Sequence, residues 1–301
     1  MKILPALLAA SALAMSACTH TPAADPWEIW VQEAEAGYAT DAHAVLKVNE
    51  AIYIAPDQTV WLTGSPDDPA SYRWMLTEPQ APAPLSVGFD LTDPEKPAAQ
   101  LVDPDAQIEI KTGMLSYAVD ETISIAGRPS GLGTDDPRLA VFIYNQRHPS
   151  AAAFTGLDFY PYDPAFRVEA DIIPATPPEP RILQTERGLV KQFFLIGHAN
   201  FSLGGADVSM PLYGYSAGTA GITSAFAPFM DETTGTETYG VGRYLDIEIA
   251  GGQLPDTLTI DFNYAYNPLC ARSEHYNCPL VDFTIPAAIR AGEQYAYDEP
   301  H

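Results

Sequence analysis

Arginine, aspartate, asparagine and tyrosine crowd one stretch of this chain, between residues 229 and 279. Residues 229–246 hold Asp231, Tyr239, Arg243 and Asp246. Residues 261–270 hold Asp261, Asn263, Tyr266, Asn267 and Cys270, and residues 276–279 add Cys278. Two carboxylates brought together would have their pKa values driven apart, which is the arrangement that acid/base pairs use. Asp246 and Asp261 are therefore the catalytic candidates. An arginine on an apolar face must be met by a carboxylate, by carbonyls or by an anionic ligand. Arg243 is the candidate grip, with Asp231, Tyr239, Asn263, Tyr266 and Asn267 orienting a ligand around it.

The spacing predicts how these groups meet. Residues 244–249 and 258–264 are apolar in alternation and flank a turn holding Gly251, Gly252 and Pro255. Paired antiparallel, they set Ile249 opposite Leu258, Ile247 opposite Ile260 and Leu245 opposite Phe262 on one buried face. Arg243 joins that face, and Asp246 lies opposite Asp261 on the other. A second use of the same residues is structural, with Arg243 bridging to Asp231 or Glu237 and knitting loops together.

Other motifs carry less. Gly214, Ser216 and Gly218 match the G-x-S-x-G nucleophile elbow, with His275 downstream. The elbow needs a strand-to-helix turn on a parallel sheet, and this chain lacks the alternating strands and helices that build one. His198 reads as a strand histidine and His148 as a loop residue. No phosphate loop, His-Glu-x-x-His or CxxC pair occurs, so no cofactor is implied. The acidic turns at Asp67-Asp68, Asp103 to Asp105 and Asp135-Asp136 lack the pattern of a calcium loop and read as solvated turns.

The elements that must position the block are mostly strands. A helix is expected over residues 26–39, capped by Asp25 with Pro26 at its first position. Short β-rich runs follow at 44–48, 52–54, 59–62, 108–110, 121–125, 139–144 and 166–172. Residues 174–180 hold four prolines and read as a stiff linker. Beyond it lie runs at 192–196, 207–210, 244–249 and 258–264. The fold expected is mainly β: an N-terminal helix followed by two β-sandwich or barrel-like units, at 26–173 and 181–301.

The chain opens with Lys2 and an apolar run from Ile3 to Met15 that is too short to span a membrane. Residues 1–17 read as a signal peptide. Met15-Ser16-Ala17-Cys18 reads as a lipobox, which makes Cys18 the lipidation site and residues 18–25 a tether. By resemblance to lipoprotein sorting signals, Thr19 in place of an Asp implies the outer membrane, facing the periplasm. With Cys18 lipidated, Cys270 and Cys278 remain as an even pair, read as a disulfide rather than as half of a zinc site. The chain has 15 basic and 39 acidic residues, a net charge of −24. Nucleic acid is excluded as a partner, since nothing offsets phosphate repulsion. The partners expected are the membrane, through the lipid, and a small anionic or polar ligand.

The C-terminal block resembles a bacterial family known as domain of unknown function 1684. The resemblance rests on Phe229, Asp231, Glu237 to Tyr239, Gly242 to Asp246, Asp261 to Asn263, Ala265 to Pro268, Cys270, Cys278 to Leu280 and Ala291 to Glu293. Upstream, Phe154, Gly156, Leu157, Tyr160, Pro161, Asp163, Pro164 and Phe166 to Val168 also fit. Asn145-Gln146 departs from an Arg-Asp pair, and residues 281–284 depart from a stretch with Pro-Pro and Glu-Asn. The family implies no known activity. Two functions stay open: a cell-envelope lipoprotein with a ligand-binding or catalytic site in the block, or a non-catalytic lipoprotein whose block is a buried network.

Overall fold

The computed structural model describes residues 25–80, 84–218 and 220–297, so Cys18 and the expected signal peptide lie outside the described residues. Helix α1 (Pro26–Ala39) forms with the expected bounds, and the Asp25 carboxylate accepts the Trp27 N–H at 2.8 Å as its cap. Nine strands follow: β1 (Val48–Ile54), β2 (Thr59–Ser65), β3 (Asp68–Met75), β4 (Ser86–Asp90), β5 (Ala98–Asp103), β6 (Ile108–Thr112), β7 (Leu115–Ala118), β8 (Ile123–Ser130) and β9 (Arg138–Asn145). A short α2 (Pro149–Ala153) precedes β10 (Arg167–Gln184), β11 (Val190–Leu203), β12 (Ala206–Gly214), β13 (Ser224–Phe229), β14 (Arg243–Glu248) and β15 (Thr257–Asp261). The chain is mainly β, with one N-terminal helix and three antiparallel sheets. No described helix is long and apolar enough to cross a membrane.

The sheets stack in order. The five-stranded sheet β3-β2-β4-β5-β6 packs on the four-stranded sheet β1-β9-β8-β7 around Val60, Val87, Leu101, Ile125, Val141 and Ile143. The opposite face of the four-stranded sheet, through Ala51, Ala140, Phe142 and Tyr144, meets Phe193, Leu195, Tyr213, Phe226 and Tyr244 on the outside of the six-stranded sheet. Strand β9 is thus covered on both faces, which accounts for its unbroken apolar run. The six-stranded sheet β14-β13-β12-β11-β10-β15 curls around a third core of Met210, Leu212, Phe229, Leu245, Ile260 and Phe262.

Three expectations are corrected. Residues 244–249 and 258–264 do not form a hairpin: β14 pairs with β13, and β15 pairs with β10 at the opposite end of the sheet. Their apolar residues do share one core, because the curled sheet turns both ends inward. The hydrophobic pattern fixes which side of a strand is buried, and two strands facing across a barrel satisfy it as well as two neighbours. Residues 174–180 lie inside β10 rather than in a linker. The ladder to β11 breaks between Pro174 and Glu179, and β15 covers β10 only from Arg167 to Asp171. Pro177 and Pro178 thus occupy a bulge, and Pro174 and Pro180 flank it in register with β11 on a strand with one open side, where a missing N–H costs least. Residues 45–47 form a 3-10 turn in place of the strand expected at 44–48.

The sheet closes through a seam and a strap. Tyr244 and Tyr266 exchange both backbone hydrogen bonds, at 2.8 and 3.0 Å. The strap, residues 289–295, crosses nearby: Glu293 N–H donates to Ala265 O at 2.8 Å, and Tyr160 N–H donates to Gly292 O at 3.0 Å. Gly292 has φ +80°, and a Cβ there would stand 2.5 Å from Ala265 O. Replacing Gly292 with Ala is expected to cost about 2 kcal/mol or more, since left-handed strain and a backbone clash add. Denaturant unfolding measures it, and an unchanged midpoint would contradict the tight fit.

Candidate functional site

The arginine singled out in the sequence is sealed. Arg243 has no exposed surface. Its Nη1 donates to the carbonyl of Ala291 and, at 3.5 Å, to that of Glu293. Its Nη2 donates to Ile289 O at 2.8 Å and to Asp231 Oδ2 at 3.4 Å, and its guanidinium stands 5.3 Å over the Phe229 ring. Asp231, also buried, accepts from Thr233 Oγ1 at 2.8 Å, from Thr234 Oγ1 at 3.1 Å and from Ile289 N–H at 2.7 Å. Burial pushes the Arg243 pKa down, and Asp231 opposes this. Only Nε of the guanidinium is left without a partner. The acceptors on Arg243 are mostly strap carbonyls, so the network pins the strap to the sheet.

The other candidates are dispersed. Asp246 and Asp261 do not face each other: Asp246 is opposite Phe226, and Asp261 is opposite Arg167. Asp261 accepts from Tyr162 Oη at 2.9 Å and from Asn263 Nδ2 at 2.8 Å. Asn263 also bonds both backbone groups of Asp163, and its carbonyl accepts Trp27 Nε1–H at 3.1 Å, so it ties α1 to the sheet. Asp246 is an exposed residue, yet crowding of its carboxyl raises its pKa, and the hydrogen bond from Tyr266 Oη at 2.6 Å opposes the rise. Asn267 is fully buried; its N–H donates to Glu293 Oε2 at 2.8 Å. Tyr239 packs at a tilt on Tyr295, 4.9 Å between ring centres, at a third and smaller hollow. Ser216 sits in an exposed bend between antiparallel β12 and β13, which is not a nucleophile elbow.

Cys270 and Cys278 are adjacent and stand as free thiols; Cys270 N–H donates to Cys278 Sγ at 3.3 Å. A hydrogen bond from the Cys270 thiol holds the Cys278 pKa low and its own high. Among the described residues no three His, Cys, Asp or Glu side chains converge on one metal position. The departing Asn145 and Gln146 are also tied down: Asn145 accepts Arg147 N–H, and Gln146 bonds Lys47 Nζ at 2.9 Å and Ala42 O at 2.8 Å.

The open space lies elsewhere. Two hollows, about 630 and 620 Å³, adjoin in the layer between the four-stranded sheet and the outside of the six-stranded one. Leu269, Tyr266, Tyr276 and Arg128 line both. The inner hollow is roofed by Trp30, Ala34 and Tyr38 of α1 and walled by Phe142, Tyr144 and Phe159. The outer one is walled by Tyr53, Phe193, Tyr215, Phe226 and Tyr244. Of the catalytic and ligand-binding candidates, Tyr266 lines both hollows, and Cys278 of the expected disulfide lines the outer one.

At the inner hollow stands Glu293, fully buried. Its Oε1 has no hydrogen-bond partner and lies 3.8 Å from Arg272 Nη2. The Tyr38 hydroxyl, in the same lining, is also unpartnered. Burial lifts the Glu293 pKa to about 7, against the Asn267 N–H and Arg272, which lower it. A carboxyl so placed can exchange a proton near neutrality. Nothing local in the sequence marks Glu293: it belongs to the Ala291 to Glu293 run of the family resemblance, and its burial depends on the strap.

Residues 152–294 match a family described as "Protein of unknown function (DUF1684)". This part of the chain belongs to that family. The match covers the six-stranded sheet and the strap and leaves both N-terminal sheets outside it. The solution NMR structure of an uncharacterized protein from Haloarcula marismortui is 31% identical; the alignment covers 50% of this chain and 82% of that one, with a TM-score of 0.43. No curated protein matches.

Two outcomes follow for the DUF1684 unit. Arg243→Met leaves buried acceptors and a buried carboxylate unpaired and is expected to cost about 3–5 kcal/mol in unfolding free energy; a neutral result would free Arg243 from its structural role. Glu293 holds its proton more tightly folded than its usual 4.5 allows. Its contribution is therefore full below about pH 4.5 and is lost as pH rises toward 7, worth about 3 kcal/mol. Glu293→Gln is expected to gain stability relative to wild type over that window. Parallel stability–pH curves for the two proteins would contradict the burial argument.

Proposed function

We propose that this protein is a cell-envelope lipoprotein, anchored through Cys18 on the periplasmic side of the outer membrane, that holds a small ligand with a flat apolar body in the cleft between its N-terminal sheets and its DUF1684 unit. The observation that carries the reading is the pair of adjoining hollows, of a size that suits small molecules, sharing Tyr266, Leu269 and Tyr276 as a common wall. Tyrosine and phenylalanine faces offer stacking surface at low entropic cost, and their hydroxyls give direction to polar groups. The polar block then divides its work. Arg243, Asp231 and Asn267 hold the strap, Asn263 holds α1, and Tyr266 faces the ligand. In the oxidising envelope, Cys270 and Cys278 join as a disulfide and fix the loop that carries Tyr276.

A catalytic reading has one observation behind it. Glu293, with a free oxygen and a pKa near neutrality, stands at the inner hollow beside an unpartnered Tyr38 hydroxyl. A ligand whose chemistry needs a proton moved would meet its donor there.

All described contacts fall within residues 25–297, so the chain from Thr19 onward keeps them. That protein is expected to bind N-phenyl-1-naphthylamine, an uncharged fluorescent body of two aromatic units, with a gain in emission. Tyr276→Ala, which strips one shared wall, is expected to weaken binding by about tenfold. No emission gain with the folded wild type would sink the cleft as a binding site.

A further inference from the structure

We infer that the outer hollow receives an anionic group, so that the ligand is an anion on an apolar body; this rests on the cleft reading above. The argument begins with charge. Acidic residues outnumber basic ones 39 to 15 in this chain. Yet the outer hollow is lined by Arg128 and Lys191 and by no Asp or Glu. The acids of the cleft, Glu33 and Glu293, line the inner hollow only. Such a chain repels anions at long range, so an anion site in it needs cations concentrated at one place.

Neither cation is spent within the protein. Among the described residues, neither Arg128 nor Lys191 has an ion pair, and no hydrogen bond holds either side chain. The contrast with Arg243, Arg290 and Arg272, each within reach of a carboxylate, is direct. Arg128 comes from β8 and Lys191 from β11, so opposite walls each supply one charge. Burial lowers the Lys191 pKa and Arg128 lowers it further, while Cys278 acts the other way. Two like charges held over one aromatic hollow are relieved when an anion enters. Ser130, Gln192 and Asn277 in the same lining supply neutral donors, and Asn277 Nδ2 is buried without a partner.

The shared chemistry is a carboxylate, sulfonate or phosphate carried on rings or a short chain. The inner hollow takes the body and the outer one takes the head. Arg128 is exposed, so replacing it leaves the core intact.

The test compares two probes with the same aromatic body. 8-Anilinonaphthalene-1-sulfonate carries a sulfonate that N-phenyl-1-naphthylamine lacks. Both are titrated against the chain from Thr19 onward, at low and high salt, in wild type, Arg128→Gln, Lys191→Gln and Arg128→Lys. The expected result is that the sulfonate binds about tenfold tighter than the neutral probe in wild type. That advantage should fall in Arg128→Gln and Lys191→Gln, be largely kept in Arg128→Lys, and shrink with salt. The neutral probe should bind all four proteins alike. Equal affinity of the two probes in wild type, or an advantage untouched by both Gln variants, overturns the anion assignment while leaving the cleft standing. Failure of both probes to bind overturns the assignment and the cleft together.

Discussion

A guanidinium with no access to water must be met by acceptors, and Arg243 finds them in the carbonyls of Ile289, Ala291 and Glu293 and in Asp231. Much else depends on this demand. The strap cannot leave without stranding a buried charge. Because the strap stays, Glu293 is carried to the floor of the inner hollow and Gly292 is pressed against Ala265. Because Asp231 must face Arg243, the loop from Asp231 to Thr238 folds back on itself through Thr233 and Thr238, 3.0 Å apart. One buried cation therefore organises the edge of the sheet, the loop beside it and the buried acid that lines the cleft.

The sequence revealed local structure better than it revealed partners. The helix at 26–39 was legible because cap, proline and apolar spacing agree within a few residues. Strand β9 was legible because both of its faces are buried. The strands β4 and β5 went unread, being short and bounded by prolines and acidic turns on the surface of the outer sheet. The pairing of β14 was misread for a different reason. Its inward residues were identified correctly, but alternation says only which face is inside, and β13, a run of nearly all buried residues, offers no alternation to read. The site suffered the same loss. Arg243 and Asp231 declared themselves by type, whereas Glu293, Arg128 and Lys191 acquire meaning only when sheets far apart in the chain are stacked.

That stacking sets a boundary inside the cleft. Tyr266, Tyr276, Phe193 and Phe226 belong to the DUF1684 unit, and Phe142, Tyr144 and Arg128 belong to sheets outside the family match. The hollow is thus made by two units, and α1, which roofs it, docks on the family unit, with Trp27 and Trp30 against Phe159, Tyr162 and Tyr264 and Tyr38 against Phe154. A family unit joined to a different neighbour would keep the Arg243 network and lose this particular cavity.

The proline bulge of β10 has a consequence for how many copies can share a surface. From Ile173 to Leu183 that strand has no described partner on the side away from β11, and Ile173 and Ile182 are 60% and 50% exposed there. An open strand edge with apolar side chains is a template on which a second molecule can add its own strand. Pro174, Pro177, Pro178 and Pro180 leave this stretch with fewer N–H groups to offer an added strand, and the bulge interrupts a straight ladder. Copies of the chain that meet in solution would collide at this edge repeatedly. The same residues that look like a hinge in the sequence keep those collisions from becoming a growing sheet.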